Sequence, residues 1–413
     1  MFDRLLKDPH ALARQQNGPL AEERHRYLTH CAEQQMSHET LRGIAGYTLV
    51  IAKELRLVER PGELITPAEI KTTADRWINR PRPRAKDRRM HSFTGHAIRW
   101  LTFLGRLQRP ASVQPYADHV AQFADYQLRE RGLSRQTVDN SSGALNRFLA
   151  QIAEAKLRLK TLTVAQVDEL LAKKVRDGGY ARSTIQRLAS LLRMFFRFAE
   201  ERCWCRKRLA AAIMAPRVYA YESLPVGPSW DDVKRLLATA EGDRPTDIRD
   251  RALLMLLAVY GLRAGEVTAL RLKDFDWERE ILTVPHGKRQ RPRTYPLCRP
   301  VGDAVLRYLW EVRPRSDRRE VFLTLVAPFR PLAVDGLGEV VRRRLHALGL
   351  TLPHYGSHVL RHACATHLLA QGLSLKEIGD HLGHQSPETT RIYAKVDLTA
   401  LRTVGDFDLE GLL

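Results

Sequence analysis

Two helix-start signals occur twice in the first half of this chain, and the members of each pair lie 97 residues apart. Ser37–Thr40 is matched by Ser134–Thr137, and Thr66–Glu69 is matched by Thr163–Gln166. Each segment begins with a hydroxyl side chain that can accept a hydrogen bond from a free backbone amide at the start of a helix. In the second pair, Glu69 and Gln166 are expected to reach back and complete a capping box. Signals that recur at one period indicate a duplicated unit. We therefore predict two related helical domains, at residues 1–107 and 108–214.

The second half of the chain has a different pattern, which predicts a third domain at residues 229–413. A proline-containing stretch, 215–228, is the expected linker before it. An apolar helix at Arg251–Tyr260 precedes two strand-like segments, Ile281–Val284 and Arg293–Leu297, which are joined by a basic turn. Helical patterns then resume. The expected fold class is mainly α, with a small antiparallel β-sheet in a C-terminal α+β domain.

The charge of the chain indicates a polyanionic partner. The 67 Lys and Arg exceed the 47 Asp and Glu, which gives a formal net charge of +20 and a pI near 10.1. Nucleic acid is the first candidate partner and an anionic membrane is the second. Nothing else in the sequence supports the membrane, and the longest apolar run, Ala252–Tyr260, is far shorter than the roughly 20 residues of a membrane-spanning helix. Arg80–Arg89, where prolines alternate with arginines, is predicted to be an exposed basic loop that either tracks phosphates or is a solvated linker.

The five cysteines give no sign of a metal site. Cys203 and Cys205 are closer together than the usual zinc pair, and no matching Cys/His pair follows them. The N-terminus also lacks the pattern of a signal peptide. We expect reduced thiols in a cytoplasmic, nucleoid-associated protein that holds no metal.

One set of residues in the C-terminal region combines positive charge, proton-transfer groups and a nucleophile: Arg263, Lys288, His358, Arg361, His384 and Tyr393. Two arginines can bind both non-bridging oxygens of a phosphodiester and neutralise the charge that grows as the phosphorus becomes pentacoordinate. The set therefore predicts phosphoryl transfer at a nucleic-acid backbone. No acidic cluster resembling a magnesium site accompanies it in the sequence, which favours covalent chemistry over metal-activated chemistry.

The spacing of these residues supports a common site. His358 and Arg361 are three residues apart, so they share one face of a helix. The Ser386–Pro387 pair marks a helix start, which places Tyr393 about two turns inside a short helix and His384 just ahead of it. A phenol with a pKa near 10 is mostly protonated at neutral pH. We expect nearby arginines to lower that pKa and a histidine to accept the proton.

Each residue has an alternative explanation when it is considered alone. Arg263 can be a surface helix residue that pairs with Glu266, three residues along. His358 and His384 can be hydrogen-bonded core histidines, and Tyr393 can be an ordinary half-buried aromatic residue. The turn lysine has three arginine neighbours, and any of these four can be only a solvated charge. The prediction therefore depends on the joint order and spacing of the set.

This joint pattern resembles the tyrosine recombinase (phage integrase) family, whose signature is an arginine, a turn lysine, His-x-x-Arg, a histidine or tryptophan, and a tyrosine. The resemblance is strong over residues 229–400, and residues 114–216 are similar to the helical core-binding domain of the family. It implies that these two domains form a clamp around duplex DNA. It also implies that Tyr393 attacks the scissile phosphate to give a 3′-phosphotyrosyl link and a free 5′-hydroxyl.

The resemblance also implies a role for each of the other residues. Arg263 and Arg361 would stabilise the transition state, helped by His384. Lys288 would protonate the leaving oxygen, and His358 would assist proton transfer. No cofactor or ATP would be required, because the covalent link conserves the energy of the broken bond. A homo-tetramer on two paired DNA sites would exchange strands through a Holliday junction, alone or with related recombinases or accessory DNA-bending proteins.

The duplicated N-terminal unit suggests extra DNA or protomer contacts, which favours a site-specific integrase or transposase of a mobile element over a chromosome-dimer resolvase. Arg135 and Arg182, at helix starts in the core-binding domain, are candidate DNA-binding residues. The tail Leu398–Leu413 is expected either to dock partly on a neighbouring protomer or to pack on its own domain. The alternative functions are a type IB topoisomerase or telomere resolvase, and a non-catalytic DNA-binding regulator.

Overall fold

The structure, a computed structural model, describes residues 1–79, 86–108, 114–217, 227–285, 292–384 and 386–393, without the side chains of 86–89. Lys288 and the tail Leu398–Leu413 lie outside these residues. The chain divides into two compact units, one formed by Met1–Arg109 with Ser223–Leu413 and the other by Pro110–Glu222. Among the described residues, no helix has both the length and the apolar character needed to cross a membrane.

The described part of the first half of the chain is helical, as predicted. Helices α1 to α11 are Phe2–Leu5, Pro9–Gln16, Ala21–Glu33, His38–Glu54, Pro67–Ile78, Lys86–Phe103, Ala117–Arg129, Arg135–Glu154, Val164–Arg176, Arg182–Glu201 and Leu209–Ala212. Helix α6 begins within the basic segment Arg80–Arg89, so the prediction of a loop was wrong for its last four residues. These four residues contain no proline, which leaves them free to form the first turn of a helix.

Helices α3–α6 and α7–α10 repeat the same local structure. Corresponding helices begin 96 or 97 residues apart. Ser37 and Ser134 cap the second helix of each set, and each hydroxyl lies 2.8 Å from a threonine hydroxyl three residues on. The residue two positions before each cap, Gln35 or Gly132, has a left-handed backbone with φ of 61° or 62°. The backbone of the two segments is therefore shaped alike at the turn as well as in the helices.

Each helical set has its own hydrophobic core. Phe93 and Trp100 of α6 are fully buried in one core, and Phe195 and Phe196 of α10 are fully buried in the other. The last helix in each set is rich in aromatic residues because large rings bury a large apolar area in the core.

The predicted helix caps form, with one difference. Thr163 and Gln166 make both hydrogen bonds of a capping box at the start of α9. Thr66 accepts the amide of Glu69 at the start of α5, but the Glu69 carboxylate binds Arg60 at 2.7 Å instead of reaching back. The reciprocal half of that box was predicted wrongly because a charge-assisted pair with a distant arginine is the stronger interaction.

The C-terminal region combines helices with a small antiparallel sheet, so the predicted fold class is confirmed. Its described helices α12 to α19 are Trp230–Ala238, Pro245–Val259, Ala264–Ala269, Arg299–Arg307, Val334–Ala347, His358–Ala370, Leu375–Leu382 and Pro387–Arg391. The strands β1 to β3 are Phe275–Asp276, Ile281–Val284 and Arg293–Pro296, paired in that order. The two longer strands were predicted, whereas the two-residue β1 is too short to leave a pattern. Tyr393 belongs to a small hydrophobic cluster with Cys364, Ile378 and Leu382.

Candidate active site

Arg361 links its own helix to the segments that carry Arg263 and His384. Its side chain is 1% exposed on helix α17, and its two terminal nitrogens donate to the backbone oxygens of Gly261 at 2.6 Å and Leu382 at 2.7 Å. Burial, and then the charge of Arg263, lower the pKa of Arg361 to about 10, so it stays protonated at neutral pH. The guanidinium has five N–H donors. Donors remain for a phosphate after these two anchoring bonds.

Arg263 lies at the mouth of the site. It is the N-cap residue of α14, and its guanidinium donates to Glu266 at 2.9 Å and to the backbone oxygen of Gly383 at 3.3 Å. The side chain remains 41% exposed. The pairing with Glu266 was anticipated, but the bond to Gly383 shows that Arg263 is more than a surface helix residue. It reaches the segment that carries His384.

Arg293, one of the arginines close to Lys288 in the sequence, contacts other residues of the site. It binds Glu266 at 2.7 Å and donates to the hydroxyl of Tyr295 at 2.8 Å, and its side chain is 15% exposed. A Cβ on Gly383 would lie 2.6 Å from its guanidinium, and the φ of Gly383 is +65°, so glycine is required there on both counts. Sequence reasoning missed this role. Alternation along β3 could have revealed it, since Arg293 and the buried Tyr295 share one face.

Glu266 holds both of these arginines. Its carboxylate also accepts the backbone amide of Arg263 at 2.8 Å. Burial raises the pKa of Glu266, but that amide and the charges of Arg293 and Arg263 outweigh burial, so the net shift is downward. The carboxylate therefore stays ionised and keeps the two guanidinium groups in place.

His358 and His384 lie near the two arginines and are held in the neutral form. Burial, followed by the charges of Arg361 and Arg263, lowers the pKa of His384 to about 4, and the same causes lower the pKa of His358. The Nδ1 atom of His384 lies 2.7 Å from the hydroxyl of the buried Thr390. His358 begins helix α17 and keeps an exposed edge.

Tyr393 lies beyond the end of α19 in a short 3₁₀ turn, so its predicted position inside that helix was wrong. Helix α19 has only five residues, because Ile392 and Tyr393 tighten into the turn. The phenol is 1% exposed. Burial raises the pKa of Tyr393 to about 12, and the charge of Arg361 offsets only part of this effect. The charge of Arg361 therefore lowers the pKa of the phenol as expected, but burial outweighs it in this conformation and the net shift is upward.

A histidine that sequence reasoning did not select contacts the phenol. The Nδ1 atom of His362, the residue after Arg361, lies 2.9 Å from the Tyr393 hydroxyl. Burial, and then the charges of His358 and Arg361, lower the pKa of His362 to about 4. Its position four residues after His358 on one helix was the available signal, because residues at that spacing share a face.

Comparison with known proteins assigns the chain to a family. Residues 229–399 match the family model "Phage integrase family", and residues 120–202 match "Phage integrase, N-terminal SAM-like domain". A putative integrase/recombinase of Sinorhizobium fredii, y4rA, is 38% identical over 299 residues, which are 71% of each chain. The chain is a tyrosine recombinase. XerC of Alcanivorax borkumensis, also named a tyrosine recombinase, is 33% identical to it over 69% of this chain and 91% of its own length.

Solved structures share the fold of this recombinase. A lambda integrase dimer bound to a COC′ core site has a TM-score of 0.53 at 18% identity, over 67% of this chain and 94% of that one. The Tn1549 transposon integrase in complex with circular intermediate DNA has a TM-score of 0.53 at 20% identity, over 70% of this chain and 99% of that one. At these identities the likeness concerns the fold alone.

The recombinase also has a cationic groove in its second compact unit. The groove is about 380 Å³ and lies among helices α8, α9 and α10. Arg147, Lys174 and Arg187 line it. The two predicted DNA-binding residues, Arg135 and Arg182, are the exposed first residues of α8 and α10, as their sequence context predicted.

Proposed function

We propose that this recombinase cuts and rejoins duplex DNA with Tyr393 as the nucleophile. The observation that carries the proposal is the anchoring of Arg361 to Gly261 and Leu382. This anchoring places one buried cation between the segment of Arg263 and the segment that leads to Tyr393. A phosphodiester fits such a cationic site because arginine donors match its non-bridging oxygens.

In the proposed reaction, Tyr393 attacks the scissile phosphorus and forms a 3′-phosphotyrosyl link. Arg263 and Arg361 bind the non-bridging oxygens as negative charge grows, and His384 assists them. Lys288 protonates the departing 5′-oxygen, and His358 assists proton transfer. The link conserves the energy of the broken bond, so rejoining by the free 5′-hydroxyl requires neither ATP nor a cofactor.

We further propose that residues 108–214 grip the DNA as the core-binding domain, linked through 215–228 to a catalytic domain at 229–413. The groove cations Arg147 and Lys174 support this, because a polar groove with several cations suits the phosphates of a duplex. Arg135 and Arg182 are the proposed additional contacts. A cytoplasmic, nucleoid-associated location follows from a DNA substrate.

Residues 1–107 are proposed to be a duplicate of the core-binding domain with a different partner. A second groove, about 390 Å³, lies at the corresponding place, but Val50 and Trp77 occupy the positions that Arg147 and Lys174 occupy 97 residues later. The ring of Tyr47 packs beside Trp77 in the same groove. Arg14, Arg42 and Lys53 also line this groove, so we expect a partner that contacts apolar and aromatic side chains as well as cations, which favours another protomer over phosphates alone.

The proposed assembly is a homo-tetramer on two paired sites that exchanges strands through a Holliday junction, with related recombinases or accessory DNA-bending proteins as further partners. A role in a mobile element is supported by the similar protein y4rA, named a putative integrase/recombinase, and by the shared fold of a transposon integrase. The similar XerC protein is named a tyrosine recombinase without reference to a mobile element, so this relative does not favour a mobile-element role.

The proposal is tested with Tyr393→Phe, which removes one oxygen from a buried ring. The Tyr393→Phe protein first selects a binding site from fragments of the DNA that flanks its coding sequence. On that site we expect unchanged affinity but no cleavage by the variant, whereas the unsubstituted protein cleaves. Equal cleavage by both proteins would contradict the proposal. Relaxation of a supercoiled plasmid without paired sites would instead indicate a topoisomerase.

A further inference from the structure

The side chain that contacts the nucleophile is His362, which the proposed reaction has not used so far. His362 lies on helix α17, directly after the buried Arg361. Its Nδ1 atom is 2.9 Å from the Tyr393 oxygen, and the two rings are tilted by 59° with centroids 5.7 Å apart. The contact is therefore made by the ring nitrogen and not by stacked faces.

The protonation states of the pair allow the phenol to donate this hydrogen bond. With its pKa raised to about 12, the Tyr393 phenol carries its proton at neutral pH. With its pKa lowered to about 4, His362 is neutral and carries one ring proton. In the tautomer with its ring proton on Nε2, the Nδ1 atom of His362 accepts this hydrogen bond from the Tyr393 hydroxyl, and a role as proton acceptor requires this tautomer. A neutral nitrogen lone pair pointing at the nucleophilic O–H is the arrangement that a general base requires.

The two histidines of the family pattern are placed differently. The Nδ1 atom of His384 is already 2.7 Å from the Thr390 hydroxyl. The ring of His358 meets the ring of His362 at 84°, with centroids 4.5 Å apart, so His358 packs against His362. Of His358, His362 and His384, His362 is the one whose hydrogen bond with the phenol the structure shows.

We propose that His362 is the group that accepts the phenolic proton when Tyr393 attacks DNA. As the oxygen–phosphorus bond forms, the O–H bond breaks and its proton moves to Nδ1, while the bond to the 5′-oxygen breaks and that oxygen takes a proton from the general acid. The two transfers are separate, so the atoms and charges balance. This inference rests on the proposed function, since it concerns the nucleophile of that same reaction.

Substrate binding would increase the basicity of His362. Burial, followed by the effects of His358 and Arg361, holds His362 neutral in the free protein. A phosphodiester bound at Arg361 places negative charge beside both groups, which favours an imidazolium. The free enzyme therefore keeps its nucleophile protonated, and the base gains strength when DNA is present.

The test is first-turnover cleavage of a nicked duplex that carries the selected binding site. His362→Asn keeps an acceptor oxygen close to the position of Nδ1 but cannot take up the proton, and His362→Phe removes both functions. We expect both variants to lose about 10²–10⁴-fold in cleavage rate, with DNA affinity unchanged. Restoration of the full rate by His362→Asn would show that the residue only positions the phenol and would overturn the proposal.

His367→Asn is the matched control. His367 lies on the same helix, but its ring stacks on Trp230 with centroids 3.8 Å apart, away from the phenol. We expect the control to cleave at the rate of the unsubstituted protein. If the unsubstituted protein itself forms no covalent product, the proposed function fails. If it does and the His362 variants match it, only the present inference fails.

Two further measurements separate the base from other roles. On a substrate with sulfur at the 5′-bridging position, the leaving group needs no proton, so we expect the His362→Asn defect to persist; its rescue would place His362 on the leaving-group side. Nitrogen-15 NMR of the full unsubstituted chain tests the pair without any variant. We expect His362 protonated at Nε2 alone, and a proton on Nδ1 would contradict the proposal.

Discussion

Glu266 is the residue that holds both Arg263 and Arg293 in place. Its carboxylate binds Arg263 at 2.9 Å and Arg293 at 2.7 Å, and its side chain is only 10% exposed. Loss of one negative charge there leaves two neighbouring cations without their shared partner. Such a loss is costly in a buried place, where an unpaired charge is poorly solvated.

We predict that Glu266→Gln lowers both stability and activity. The free energy of unfolding should fall by about 1–3 kcal/mol, measured by urea denaturation, and first-turnover cleavage by about 10²-fold through displacement of Arg263. The control is Glu339→Gln, which breaks a pair with Arg342 in which both side chains are more than half exposed. That control should change stability by less than about 1 kcal/mol. Equal effects of the two substitutions would contradict the role assigned to Glu266.

The buried histidines predict how stability depends on pH. The pKa values of His362 and His384 are about 4 in the folded protein, against about 6.5 in an unfolded chain. Between these values the unfolded chain binds more protons than the folded one, so the free energy of unfolding falls as the pH falls from 6.5 towards 4. Urea denaturation at pH 7.5 and pH 5 measures this fall. His384→Gln should make it smaller, and an unchanged fall would contradict the assignment.

At the scale of helices and grooves, the two helical sets share a backbone but differ in the side chains that line their grooves. We predict that Arg147→Ala and Lys174→Ala each lower the slope of log affinity for DNA against log salt concentration by about 1. The matched positions in the first set provide the controls: Val50→Ala and Trp77→Ala should leave that slope unchanged. Fluorescence anisotropy with a labelled duplex over a salt series measures both. A slope that Arg147→Ala and Lys174→Ala leave unchanged would contradict phosphate contacts in the groove of the second set.

The helices were predictable where their start signals are local. Ser134 and Thr163 each accept from the amide three residues away, so the sequence contains the whole interaction. Glu69 was predicted wrongly because its partner, Arg60, is brought to it by tertiary packing. The position of Tyr393 was wrong for a related reason, since burial against the Cys364 cluster accompanies a tight turn where the sequence favours a longer helix.

At the scale of the whole molecule, the site joins segments that are about 100 residues apart. The bond from Arg361 to Gly261 and the bond from Arg263 to Gly383 span 100 and 120 residues of chain. No periodicity predicts such bonds, and the family resemblance alone indicated that these segments meet. Arg293 and His362 were missed because their roles consist of contacts with other members of the site, although strand alternation and helical spacing indicate the face on which each lies.

The central claim is that Tyr393 becomes covalently linked to DNA in a site built around Arg361. The most direct measurement is mass spectrometry of the peptide–nucleotide adduct trapped when the unsubstituted protein reacts with a nicked duplex that it binds. We predict a single adduct, with the 3′-phosphate of the cleaved strand attached to the oxygen of Tyr393. An adduct on another residue, a link to a 5′-phosphate, or bound DNA without any adduct would contradict the account.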